Sequence, residues 1–180
     1  MQPSTEEEVA ERKKRIAEVS AEVEKGNLEK AGELAARCTE DYRGKDLYGE
    51  AFCGYLVGHS IICQYLKNIA PVDYVKAKIP SSDYDRAKSH LKRSSEIFDT
   101  LAKNRKMQRN RRLMCATVLI DMAMLESLAQ RWDEAMKTCR RSLDIHRKYK
   151  SKEGIQIATR MMLNLTKKRI GFIIKEWAGR

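Results

Sequence analysis

Three short segments of this chain share one pattern: Asn27-Leu28-Glu29-Lys30-Ala31, Asp83-Tyr84-Asp85-Arg86-Ala87 and Arg131-Trp132-Asp133-Glu134-Ala135. In each, a large apolar or aromatic residue stands three positions before an alanine. The alanine is followed at plus four by Ala35, Leu91 or Cys139 and at plus seven by Cys38, Ser94 or Ser142. Residues three, four and seven apart share one face of a helix, so the pattern describes a helix stripe of small residues. Small residues on a packed face let two backbones approach closely. A chain that repeats this device three times is constrained to stack helices against helices.

The rest of the sequence agrees with that constraint. Ser4 and Thr5 stand three residues before Glu7 and Glu8, the spacing of a reciprocal helix-start cap, and Val9, Ile16, Val19 and Val23 follow at helical intervals. Gly26-Asn27 tolerates the turn that ends this first helix. A second is predicted from about Leu28 to Arg43-Gly44, and a third from about Leu47 to Ile69, where Ala70-Pro71 stops it because the residue before proline is pushed out of helical geometry. Residues 71–82 read as an interrupting loop holding a short helical turn around Tyr74–Lys78. Ser82-Asp83 is predicted to cap a fourth helix ending near Ala102. A fifth carries Leu113 to Leu128, a sixth Ala135 to Ile145, and a seventh runs from about Ile155 to Trp177 with Ile157, Met161, Leu165, Ile170, Ile173, Ile174 and Trp177 as its apolar residues. No segment alternates with period two. The expectation is a single all-α domain over residues 1–180, a helical-repeat array of about seven helices whose last one acts as a cap.

Charge and cysteine content narrow the functional classes. The net charge of +11 is uneven, −4 over residues 1–50 and +15 over residues 51–180, which favours acidic partners through screened long-range attraction. The densest basic cluster is Lys103, Arg105, Lys106, Arg109, Arg111 and Arg112. It has no interleaved aromatic residue for base stacking, so it reads as a solvated surface or as a site for an acidic peptide rather than a nucleic-acid arm. The longest apolar stretch, Ala51 to Cys63, is thirteen residues, short of the ~20 needed to span a bilayer. No membrane association is expected. Five cysteines without a Cys-x-x-Cys pair read as buried thiols of a reducing compartment, nucleus or cytoplasm. Three histidines and these cysteines show no metal-ligand spacing, and no glycine-rich phosphate loop is present, so no metal or cofactor is expected. His59 and Cys63, one helical turn apart, could pair as imidazole and thiolate, but in an apolar stretch they read as packing residues. A catalytic site is not expected.

The aligned segments resemble the second helix of the tetratricopeptide repeat, a helical pair packed through small residues. The copies lie 56 and 48 residues apart, longer than the usual period of ~34. A more specific resemblance is carried by Gly49-Glu50-Ala51-Phe52, then Tyr55, then Gly58-His59-Ser60-Ile61-Ile62, followed by an interruption at Pro71–Ser82 and resumption from Tyr84 to Ile97-Phe98. This order is similar to the SHNi-TPR histone-chaperone family and covers roughly residues 26–165. The resemblance implies a non-enzymatic nuclear chaperone of core histones. It also implies that first helices of the repeats line a concave groove, here with Tyr55, His59, Ile62, Ile120 and Met124. Because histones are cationic, the implied binding surface includes acidic residues, with Glu29, Glu33, Glu40, Asp41 and Glu50 as candidates. The rival expectation is a helical-repeat adaptor whose basic half binds an acidic protein or RNA. Self-association stays open in both.

Overall fold

The computed structural model describes residues 5–67, 79–104 and 107–178, with the side chains at 172, 173 and 175–178 outside the description. Seven helices follow one another: α1 (Glu6–Glu24), α2 (Leu28–Tyr42), α3 (Leu47–Lys67), α4 (Ser81–Leu101), α5 (Gln108–Leu128), α6 (Trp132–Lys148) and α7 (Lys152–Ala178). There is no strand among the described residues. The first helix opens as its sequence predicts: the Thr5 hydroxyl accepts from the Glu8 amide at 3.2 Å while the Glu8 carboxylate accepts from the Thr5 amide at 2.9 Å. The start of α4 differs from expectation. Pro80 is its N-cap and its carbonyl takes the first helical bond, from Tyr84 N–H at 2.9 Å, so residues 81 and 82 belong to the helix and not to the loop. Residues 71–78 of the expected interruption, including the turn around Tyr74–Lys78, lie outside the described residues.

One turn geometry recurs. Asn27 N–H bonds Glu22 O, Arg131 N–H bonds Glu126 O, and Ser151 N–H bonds His146 O, each at 2.9 Å and each across five residues. The residue before each of these donors is left-handed: Gly26 at φ 76°, Gln130 at φ 60° and Lys150 at φ 52°. Glycine occupies that conformation freely, whereas a side chain there costs roughly 1–2 kcal/mol. Lys150→Gly is therefore expected to stabilise the fold by about 0.5–1 kcal/mol once the extra freedom of glycine in the unfolded chain is deducted. Thermal unfolding should show a midpoint about 2 °C higher; a lower one would mean that the turn does not need the left-handed position.

Each helix packs against its successor. In addition α1 touches α3, α3 touches α5 and α5 touches α7, and the even-numbered helices make no comparable contacts with one another among the described residues. The odd helices thus form a continuous layer, with the even helices backing it. The repeat register read from the sequence is the packed one: Ala31, Ala87 and Ala135 are fully buried, as are Ala35, Leu91 and Cys139 four residues on. At plus seven of the third copy the buried Ser142 hydroxyl donates to Ala116 O at 2.8 Å, tying α6 to α5. Two core clusters meet at α5, which supplies Val118, Leu119, Leu125 and Leu128 to the first and Ile120 and Ala123 to the second. A helix with core on two sides is buried over most of its circumference, even at the polar residues Asp121, Glu126 and Ser127.

The apolar face expected for α7 packs only in part: Leu165 is buried in the core and Met161 packs against it, but the isoleucines at 157, 170 and 174 do not. Gly154, Ala158 and Leu165 are buried, whereas Ile157, Ile170 and Ile174 are 49%, 52% and 61% exposed. The cause is the approach to α6. A Cβ on Gly154 would overlap the His146 imidazole, so α7 rolls its smallest residues, Gly154 and Ala158, against α6 and turns the larger isoleucines outward. No described helix is long and apolar enough to cross a membrane.

Candidate protein-binding groove

Helix α3 carries a row of rings along one face. Tyr48 stacks on Phe52 with centroids 6.2 Å apart, Phe52 meets Tyr55 edge-on at 6.1 Å, and Tyr55 lies 5.6 Å from the His59 ring. These residues recur at three- and four-residue spacing, which keeps them on one side of the helix. The row ends in a polar relay that crosses to α5. His59 Nδ1–H donates to Asp121 Oδ2 at 2.7 Å, and His59 Nε2 lies 3.4 Å from Cys63 Sγ. Asp121 is 3% exposed and Cys63 half-buried. Burial opposes charging of His59, but the hydrogen bonds to Asp121 and Cys63 outweigh it and push its pKa up to about 10. The imidazole is therefore held as imidazolium at neutral pH. The Tyr55 phenol is pushed above its ordinary range by burial, with Asp121 and Cys63 adding to the effect.

Beyond this relay the odd layer opens into an apolar cavity of about 450 Å³ between α3, α5 and α7. Leu66, Met124, Leu128, Met161 and Leu165 supply its apolar walls; Ser127 and Asn164 add polar groups, and Lys167 and Lys168 stand at one side. The Ser127 hydroxyl is buried and without a hydrogen-bond partner. Burial pushes the Lys168 amine below its ordinary pKa.

Of the five residues expected to line the groove, Tyr55, His59 and Met124 are partly accessible. Ile62 and Ile120 are not: both are buried, the first in the core shared by α3 and its neighbours and the second in the cluster of α5, α6 and α7.

The expected acidic surface also changes. Glu50 is 2% exposed, bound to Arg93 Nε at 3.0 Å and to the Gly44 amide, and so is a core ion-pair residue. Glu33, Glu40 and Asp41 are exposed but paired with Arg37, Arg43 and Arg15. Glu29 lines a broad hollow with Glu33, Lys30 and Lys67. Glu33, Glu40 and Asp41 are thus neutralised locally, which weakens any field they could present.

The basic cluster is similarly partitioned. Arg105 and Lys106 lie outside the described residues. Lys103 and Arg109 are exposed. Arg111 Nη1–H donates to Leu101 O at 2.7 Å, satisfying a carbonyl at the end of α4, and Arg112 pairs with Asp99. These two arginines fasten α5 to α4, which corrects the expectation of a solvated surface at these positions.

The buried acids are what sequence reasoning missed. Asp121 is one; Glu126 is another, accepting from Tyr84 Oη–H at 2.8 Å and pairing with Lys88 at 3.0 Å, while the Arg131 guanidinium lies 4.9 Å over the Tyr84 ring. Carboxylates inside the apolar run Leu119–Leu128 were the available signal, since a buried acid requires a partner. The signal names the need but not the partner. Among the described residues no group of three or more His, Cys, Asp or Glu is arranged to hold a metal ion, and Asp121, His59 and Cys63 form a line of pairwise contacts, not a convergent set. Comparison with models of known protein families, with curated proteins and with solved structures finds no match to this chain.

Proposed function

We propose that this protein is a non-enzymatic binding module that holds a segment of a partner protein against its odd-helix layer, and that the partner is a core histone handled by a nuclear chaperone of the SHNi-TPR type. The observation that carries the binding role is the methionine- and leucine-walled cavity between α3, α5 and α7, one wall of which comes from the helix that carries the aromatic row. Methionine walls adapt to the shape of an inserted side chain, and stacked aromatic rings offer contact area with little loss of side-chain freedom. An amphipathic helix laid along such a groove would seat apolar anchors at helical spacing. The choice of histones rests on the similarity of residues 49–62 to the chaperone helix, and it assigns affinity to the groove first, because Glu33, Glu40 and Asp41 of α2 are already paired.

The second reading, a groove for an acidic protein segment, is favoured by Lys167 and Lys168 beside the cavity. Lys167 is exposed, so Lys167→Glu reverses a charge without touching the core. Titration calorimetry with a core-histone dimer and with an acidic peptide at two salt concentrations separates the two. For a histone partner, Tyr55→Ala is expected to weaken binding more than tenfold, about 1.4 kcal/mol, and Lys167→Glu to leave it unchanged or tighten it. Loss of acidic-peptide binding in Lys167→Glu, with no histone binding by the native protein, would replace the histone reading by the acidic one.

A further inference from the structure

The relay of α3 and α5 has a chemical capacity that partner binding does not use. Cys63 is half-buried, whereas the other four cysteines, Cys38, Cys53, Cys115 and Cys139, are buried, and desolvation pushes all four of those thiols up. Cys63 alone has an imidazole on its sulfur, His59 Nε2 at 3.4 Å, and that imidazole is backed by the buried Asp121 carboxylate at 2.7 Å. The order carboxylate, imidazole, thiol is the one that activates a sulfur nucleophile: the acid orients and charges the ring, and the ring N–H stabilises the thiolate. We propose that Cys63, with His59 and Asp121, is a thiol modification site that reacts with hydroperoxides.

The backbone chooses this substrate class over acyl groups. Acyl transfer needs free N–H donors around a developing oxyanion, and Cys63 lies inside α3, where its amide belongs to the helix ladder. A hydroperoxide needs only a thiolate and a proton for its departing oxygen. The Cys63 sulfur attacks the terminal oxygen; an S–O bond forms as the O–O bond breaks, sulfur is oxidised by two electrons and the peroxide is reduced. The departing alkoxide or hydroxide takes the proton of His59 Nε2 and leaves as alcohol or water. Cys63 is left as a sulfenic acid, which a thiol can later reduce. Among the described residues, His59 and Tyr55 from α3 are the titratable groups that interact with the sulfur, and Asp121 from α5 reaches it through His59.

The inference is independent of what the groove binds. Native protein treated with hydrogen peroxide and dimedone at neutral pH, followed by peptide mass spectrometry, should carry the adduct on Cys63 at least tenfold faster than on any other cysteine and at least tenfold faster than on free glutathione. His59→Gln, whose amide can still donate to Asp121, should slow Cys63 at least tenfold. It should slow alkylation by iodoacetamide less than oxidation, because only the peroxide needs a proton on its leaving group. A native Cys63 no faster than glutathione would overturn the proposal without recourse to a variant, and so would an unchanged rate in a folded His59→Gln protein or first oxidation at another cysteine.

Discussion

Asp121→Asn is expected to destabilise the protein by roughly 3 kcal/mol near pH 6, because it leaves the His59 imidazolium without its buried counter-ion. The pH dependence follows from the direction of the shift. His59 has a folded-state pKa of about 10, above the ordinary 6.5, so the stability it contributes is complete below about pH 6.5 and is lost as pH rises towards 10. The gap between native protein and variant should therefore be widest near pH 6 and close towards pH 10. The other two histidines act in the opposite sense. Burial lowers the pKa of both His90, where the charge of Arg86 adds to the effect, and His146. Their contribution is present above pH 6.5 and lost as they are forced to protonate in acid. Urea unfolding at pH 6 and pH 9 measures the gap, and ring-proton NMR titration assigns it: His59 should stay protonated through pH 8, while the other two are neutral above about pH 6.5. A gap that is the same at both pH values would show that Asp121 contributes shape and not charge.

Leu91→Ala is expected to cost about 2–5 kcal/mol, and its cost should depend on Gly58. Leu91 is fully buried where α4 meets α3, and a Cβ placed on Gly58 would lie 2.5 Å from Leu91 Cγ. At that distance backbone and side chain share one space, so Gly58→Ala alone should overpack the contact at a cost of roughly 1–3 kcal/mol. In the double variant the new methyl fills part of the volume that Leu91 vacates. The two costs should then sum to more than the double variant shows, by about 1 kcal/mol or more, the behaviour of residues that share one site. Denaturant unfolding of the four proteins gives the coupling directly. Simple additivity would mean that the helices do not approach as closely as the structure has them.

A good part of the architecture was legible in the sequence. The cap at the start of α1, the Gly26 turn, the boundaries of α2 and the buried alanines at 31, 87 and 135 all follow from interactions between residues no more than a turn or two apart, whereas α5 begins at Gln108, ahead of the expected Leu113, and α6 at Trp132, ahead of Ala135. Capping, left-handed turns and helical periodicity are local, so a linear string records them. The candidate groove was legible only as far as its helices. Tyr55, His59 and Met124 were placed on the accessible side, but Ile62 and Ile120 went to the core, since periodicity locates a stripe and not which edge of it meets a neighbour.

What tertiary structure alone decided are the pairings across helices. His59 finds Asp121 across 62 residues, Glu50 finds Arg93 across 43, and Asp41 finds Arg15 across 26. These contacts turned an expected acidic surface into neutralised pairs and an apolar His–Cys turn into a charged relay. The roll of α7 belongs with them: Ile157, Ile170 and Ile174 face outward while Gly154 packs on His146 of α6. By itself the sequence determined that this chain forms helices, where most of them begin and end, and which small residues lie at their contacts, because each helix is specified by its own hydrogen bonds and side-chain spacing. Which buried charges are partnered, and which apolar residues are left for solvent or a partner, depends on the rotation of each helix about its axis, and that is set only when the faces close on one another.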